Sequence, residues 1–212
     1  MKALVLIGAS GVGKTTVAEA LMAEYPEFSM VRSATTRPPR GDGRDGEYVY
    51  LTRDEFLGRI ERSEMLEYTE FGGNMYGTPK SELERISANG GVPLMVLDLN
   101  GAVSLRDPVL SVDAVIVYIY EHLDVIESRL LSRLQKSAAG DISLVRDRMK
   151  INRDDYAALE RLYPIFDAFV RNSDRAEARD EVYNIYRRAL EGAQPDVETN
   201  KKTAERLVAM AK

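Results

Sequence analysis

The chain has 212 residues, 44% of them hydrophobic and 30% charged, with a formal net charge of −5. That content suffices for one sizeable core with small satellite subdomains, excludes disorder as the overall state, and leaves no uninterrupted apolar window of membrane-spanning length. Zero Cys and a single His, His122, remove disulfides, thiol catalysis and multi-histidine metal sites, so any chemistry must use carboxylates, Arg, Lys, Tyr, hydroxyls and backbone amides.

The first apolar run ends in glycines without a small-residue cleavage site, so no signal peptide is expected. Ala3–Ile7 reads as a parallel strand buried on both faces. Gly8–Gly13 is a glycine-rich turn, and Lys14–Tyr25 a helix with Val17, Ala18, Leu21 and Met22 on one stripe and Pro26 closing it. From about Ser33 to Asn89 the rhythm breaks into a mostly β insertion. Its short strands are Tyr48–Leu51, Leu66–Phe71 and Met75–Thr78, around one helix opened by the capping box Thr52-Arg53-Asp54-Glu55. A second box, Ser81-Glu82-Leu83-Glu84, is expected to open the next helix. Further strands are expected at Val92–Leu97 and Ala114–Tyr120. Helices follow at Leu123–Leu134 and Ile142–Leu162 around the polar stretch Gln135–Asp141, then a short strand at Ala168–Arg171 and a helix at Ala176–Leu190. The polar 191–200 stretch leads to a tail helix at Lys201–Lys212, with part of the tail expected to be disordered. Strands alternating with helices predict an α/β fold with a parallel sheet.

Gly8-Ala9-Ser10-Gly11-Val12-Gly13-Lys14-Thr15 fits the P-loop pattern G-x-x-x-x-G-K-[ST]. Its glycines let consecutive N–H groups turn toward phosphate, the following helix adds its positive end, and Lys14 supplies a mobile cation. Thr15 is placed to bind Mg²⁺. Further on, Ser33-Ala34-Thr35-Thr36-Arg37-Pro38-Pro39-Arg40 displays two arginines three apart, the second fixed behind a Pro-Pro pair, as planar donors for a second anion. Tyr48 and the run Glu67-Tyr68-Thr69-Glu70-Phe71-Gly72-Gly73-Asn74-Met75-Tyr76-Gly77-Thr78 follow, and the strand at Val92–Leu97 ends in Asp98. Asp98 reads either as an acid near Mg²⁺ or the acceptor, or as a helix cap.

In this order and combination, these landmarks resemble the guanylate kinase family over about residues 3–190. The resemblance implies a P-loop three-layer core with a parallel sheet (1–32 and 92–190), an inserted mostly β GMP-binding lobe (33–91), a helical lid (129–150) and a separate tail (191–212). It implies phosphoryl transfer from ATP to GMP, with Mg²⁺ as cofactor. Gly8, Ala9, Ser10, Gly11, Val12, Gly13, Lys14, Thr15 and Thr16 would bind ATP, with Asn172 near the adenine. Arg37, Arg40, Tyr48 and Tyr76 would hold the GMP phosphate, while Glu67, Thr78 and Ser33 would read guanine, with Asp98 beside the acceptor. One carboxylate can accept both hydrogens of guanine's Watson–Crick edge, whereas adenine would leave it unpaired. Lys14, Arg37, Arg133 and Arg148 would be catalytic, with Arg129 and Arg146 as further lid arginines.

The chain departs from the family where it reads Leu97-Asp98-Leu99-Asn100-Gly101. The family turn has a second acid, and here that position is Asn100. The segment 41–47 is also shorter than usual. Another acceptor, such as a different nucleoside monophosphate or a ribose bisphosphate, and a non-catalytic protein-binding module are the alternatives. The intact Lys14, Thr15, Arg37, Glu67 and Thr78 speak against both. His122 is assigned a surface or capping role, and Asp154-Asp155 a helix face. The acidic balance argues against nucleic acid as main partner, no membrane association is expected, and the implied location is cytoplasmic. The sequence leaves monomer and homodimer open.

Overall fold

The computed structural model describes residues 2–39, 46, 48–106, 112–135 and 141–212. Five strands, β1 (Ala3–Ile7), β2 (Phe28–Met30), β7 (Val92–Val96), β8 (Ala114–Tyr120) and β9 (Ala168–Arg171), form an all-parallel sheet in the order β2-β7-β1-β8-β9. The central strand β1 is apolar throughout and wholly buried, as a strand covered by helices on both faces must be. Helices α1 (Lys14–Glu24), α5 (Leu123–Gln135), α6 (Ile142–Leu162) and α7 (Arg175–Leu190) flank it.

A second sheet takes the order β4-β3-β6-β5 from β3 (Ser33–Thr35), β4 (Tyr48–Tyr50), β5 (Met65–Phe71) and β6 (Asn74–Pro79). It closes over its own small core of Ala34, Phe56, Met65 and Met75, with Phe56 contributed by α2 (Arg53–Glu61). The capping box of α2 forms as expected: Thr52 Oγ1 accepts from Glu55 N, and Glu55 Oε2 accepts from Thr52 N. The second box does not form. Strand β6 runs on through Pro79, and α3 (Lys80–Ala88) starts two residues early, with Pro79 at its cap and Ser81 already inside. Glu82 instead turns back to the segment that joins the two sheets. It accepts bidentately from Arg32 (2.7 and 3.0 Å) and from Arg85 (2.9 and 3.3 Å), and these bonds hold its carboxyl down at about 2.

Three further elements were absent from the sequence expectation as separate pieces: β2, β3 and the short α4 (Leu99–Leu105). The tail also differs. Helix α8 (Val197–Ala211) begins four residues before Lys201, capped by Asp196, and packs along α6. Buried Asn200 donates to the carbonyls of Phe166 (3.0 Å) and Asp167 (3.3 Å), while Ala204 and Leu207 join the main core. This docked helix replaces the partly disordered tail of the sequence expectation.

Among the described residues no helix is long and apolar enough to cross a membrane. One buried polar atom, the Tyr118 hydroxyl, has no hydrogen-bond partner among the described residues. It lies against Phe166 and Phe169 with ring centroids 5.0 and 5.3 Å away. Tyr118→Phe keeps the ring and removes the orphan donor, so thermal unfolding should be unchanged or shift upward, by at most ~1 kcal/mol. A clear loss of stability in the melt would mean that the hydroxyl is satisfied in solution.

Candidate active site

The turn between β1 and α1 is built so that its carbonyls face away from its centre. Lys14 Nζ donates to Gly8 O (2.6 Å) and Ala9 O (3.1 Å). Val12 O accepts from Asn172 Nδ2 (2.8 Å) and Arg129 Nη1 (3.0 Å), and Arg129 Nη2 donates to Asn172 O (2.8 Å). Ser10 is held at both backbone groups by the side chain of Asn152 on α6. Two glycines are dictated by this scaffold. Gly8 (φ +147°) would press a Cβ onto the carbonyl of Ile119, and Gly13 (φ +100°) would press one onto Asn172 Nδ2. With the carbonyls spent, the N–H groups at the start of α1 are left to face an anion.

Lys14 carries the mobile charge of the loop. Burial lowers its pKa to about 8, against the opposing pull of Asp155 and Asp98. Asp155 is the reciprocal case: burial raises it to about 6 although Lys14 favours its charged form. The Asp154-Asp155 pair therefore splits. Asp154 is exposed as a helix face should be, while Asp155 is turned toward the site. Thr15 is exposed and Thr16 half-buried in the first turn of α1.

A cavity lined by Thr15, Glu19, Ser33, Tyr48 and Val96 shares its last three residues with a cleft of about 300 Å³ lined by Glu67, Thr69, Tyr76, Gly77 and Asp98. The start of α1, through Thr15 and Glu19, and the second sheet thus bound one trough. At its far end Thr78, buried, donates to Glu67 Oε1 at 2.6 Å. Burial raises the Glu67 pKa, with the Thr78 bond pulling the other way and Asp98 adding to the rise. Arg37 sits over the Tyr48 ring with its guanidinium carbon 5.4 Å from the centroid, an arrangement that aims a planar cation without consuming all its donors. Thr35 and Thr36 pin this segment to Met75 of β6.

Asp98 adopts the capping alternative: its Oδ1 accepts from Gly101 N (2.8 Å) as the N-cap of α4, while the residue still lines the cleft. Asn172 has its side-chain nitrogen committed to Val12. Of the four expected lid arginines on α5 and α6, Arg129 is bound into the loop scaffold. Arg133, Arg146 and Arg148 are exposed. Arg40 lies outside the described residues. His122 fills its capping role, its carbonyl accepting from Ile126 N in the first turn of α5. Sequence reasoning passed over Asn152 and Glu121. Glu121 is 2% exposed and accepts from Arg171 (2.9 Å), with Arg129 4.0 Å away, so it fixes the arginine that holds Val12. A lone Asn or Glu has no sequence signal when its partners lie far along the chain. Among the described residues no group of three or more His, Asp or Glu could enclose a metal ion.

A model of the guanylate kinase family matches residues 1–189. A guanylate kinase of Rubrobacter xylanophilus is 33% identical over 193 residues, covering 91% of this chain and 96% of the relative. One from Cereibacter sphaeroides is 36% identical over 156 residues, covering 72% and 71%. The crystal structure of a guanylate kinase from Anaplasma phagocytophilum superimposes with a TM-score of 0.64 at 25% identity, covering 89% of this chain and 85% of that one.

The lowered Lys14 pKa has two pH consequences of opposite sign. A phosphate ligand needs the ammonium form, so ATP affinity should hold steady below about pH 7 and fall by up to about tenfold per unit above pH 8. In the ligand-free protein the unfolded chain binds the extra proton between about 8 and 10.5, so the Lys14 contribution to stability rises with pH across that window. Calorimetric titration with ATP at several pH values checks the first; a flat affinity would remove Lys14 from phosphate contact.

Proposed function

The chain belongs to the guanylate kinase family, and on that premise we propose how its residues divide the work of phosphoryl transfer from ATP to GMP. The protein is an enzyme, a nucleoside monophosphate kinase, and its donor is ATP. The observation that supports the residue assignment is the trough itself, which runs from Thr15, next to Lys14 at the start of α1, to the Glu67–Thr78 pair.

Guanine would enter at Glu67. Thr78 occupies one carboxylate oxygen and orients the group, leaving acceptor capacity for the N1 and N2 hydrogens of the base. The raised Glu67 pKa suits this reading, because a carboxylate in a half-dry pocket gains most from a ligand that supplies two donors. Ser33 lines the same cleft as a further base-reading hydroxyl. The GMP phosphate would meet Arg37, held over Tyr48, together with Tyr76 and Arg40. The loop N–H groups from Gly11 to Thr16 and Lys14 would hold the ATP phosphates.

The attacking atom is an oxygen of the GMP phosphate, already ionised at neutral pH. No general base is required, in keeping with a chain whose only His caps a helix. Catalysis then consists of positioning and charge neutralisation. Arg37 orients the acceptor, Lys14 neutralises the donor phosphates, and Arg133 and Arg148 supply cations to the transferring group. Mg²⁺ fits the donors present: the Thr15 hydroxyl and the Asp98 carboxylate are hard oxygen ligands, and the ion would neutralise phosphate charge there. Asn172 donates to Val12 O and would support the loop from behind, beneath the phosphates; an adenine contact would fall to its remaining side-chain atoms. In this reading the enzyme works in the cytoplasm, where its ATP is regenerated.

A coupled assay with ATP and Mg²⁺ against GMP, AMP, CMP, UMP and ribose 1,5-bisphosphate tests the acceptor, and turnover should be confined to the guanine nucleotide. Activity with only another acceptor would overturn the Glu67 assignment. Arg37→Ala should lower phosphotransfer by more than about tenfold while ATP binding stays nearly intact. Wild-type turnover by this variant at saturating substrates would sink the role given to Arg37.

A further inference from the structure

We infer that Asn152 is a positioning residue for the ATP site, tying the phosphate-binding loop to the helix that carries the lid arginines Arg146 and Arg148. The inference rests on the reading of that loop as the ATP site and adds a residue outside the P-loop motif.

Asn152 lies on the inward face of α6 with Val145, Met149, Tyr156 and Leu159, and is 0% exposed. A polar amide in such apolar company is costly unless it is satisfied. Its two polar atoms are both spent on one residue of the loop: Oδ1 accepts from Ser10 N at 2.8 Å, and Nδ2 donates to Ser10 O at 2.9 Å. The bidentate pair fixes orientation as well as distance, since rotating the Ser10 backbone would break both bonds. An apolar residue would fill this stretch of the helix face equally well, as Met149 and Val145 do one and two turns earlier.

The pair completes the outward anchoring of the loop. Gly8 and Ala9 are held by Lys14, and Val12 by Asn172 and Arg129. Ser10 lies between these two anchors, and among the described residues its backbone bonds are those to Asn152. Helix α6 reaches the site a second time three residues later, where Asp155 opposes Lys14. Arg146 and Arg148 occupy its first two turns. One rigid helix therefore presents the lid cations, the loop anchor and the counter-charge of the loop lysine in fixed register. Without the anchor, ATP would have to order the loop at its own expense, which weakens ATP binding and misaligns the transferring phosphoryl against the arginines. The GMP cleft is lined by Ser33, Tyr48, Glu67, Thr69, Tyr76 and Asp98, none of which bonds to Asn152 or Ser10.

Asn152→Ala is expected to raise KM for ATP about tenfold and lower kcat several-fold, with KM for GMP unchanged. Amide hydrogen exchange at Ser10 should quicken by at least about tenfold while the β1 amides keep their protection. Unchanged KM for ATP, an equal rise in both KM values, or unchanged exchange at Ser10 would overturn the inference. If the alanine variant does not fold, Asn152→Asp keeps the volume and the acceptor for Ser10 N but offers the Ser10 carbonyl no donor when ionised. It should show the same selective rise for ATP, and a normal KM for ATP would count against the inference. Calorimetric ATP binding and Ser10 exchange need no acceptor. Failure of the wild type to phosphorylate GMP would therefore strike the proposed function and leave these two readouts to decide on Asn152.

Discussion

The carbonyls of the loop between β1 and α1 must point away from the phosphates that its N–H groups receive, and a short loop cannot arrange this by itself. Each outward carbonyl needs a donor, and here the donors come from well-separated parts of the chain. Lys14 takes two carbonyls, Asn152 takes one together with its N–H, and Asn172 and Arg129 share the last. Glu121, buried at the end of β8, holds Arg129 in turn. The site is thus the meeting point of β1, β8, β9, α5 and α6, and the parallel sheet exists, from the loop's standpoint, to bring those elements together.

A second constraint governs the link between the two sheets. The chain leaves the main sheet after β2 and returns to it at β7, and Glu82 with Arg32 and Arg85 ties the outgoing segment to the returning one. Because the small lobe has its own core around Phe56, it can keep its internal shape while that tie fixes where it joins. An overall charge of −5 hides this arrangement completely. The acids are placed to hold arginines and to balance Lys14, so the charges around the trough act locally.

Continuous apolar runs and long amphipathic stripes were legible: β1, β8, β9 and α6 fall at their expected residues because nothing local competes with them. The three-residue strands β2 and β3 carry too few positions for periodicity, and their pairing partners lie far along the chain. The Ser81 box failed because β6 extends to Pro79 and α3 begins at Lys80, which puts Ser81 inside the helix and away from its cap, a tertiary demand that outranks a local signal. Asp98 shows both expected faces at once, capping α4 while lining the cleft. The residues proposed to touch ligands could be named from motif and resemblance. The residues behind them could not, since Asn152 and Glu121 bond to backbone and side-chain groups that only the fold brings near.

Helix α8 has a consequence for how the molecule comes into being. The family match stops at residue 189, yet α8 adds Ala204 and Leu207 to the main core and lies along α6, the helix that braces Ser10. The loop leaves the ribosome before its anchors at positions 129, 152 and 172, and the helix backing α6 follows all of them. Contacts of such sequence separation close late in folding. A nascent chain still lacking those segments would carry a complete P-loop motif with no architecture to orient it, so the loop gains its shape only once they have folded behind it.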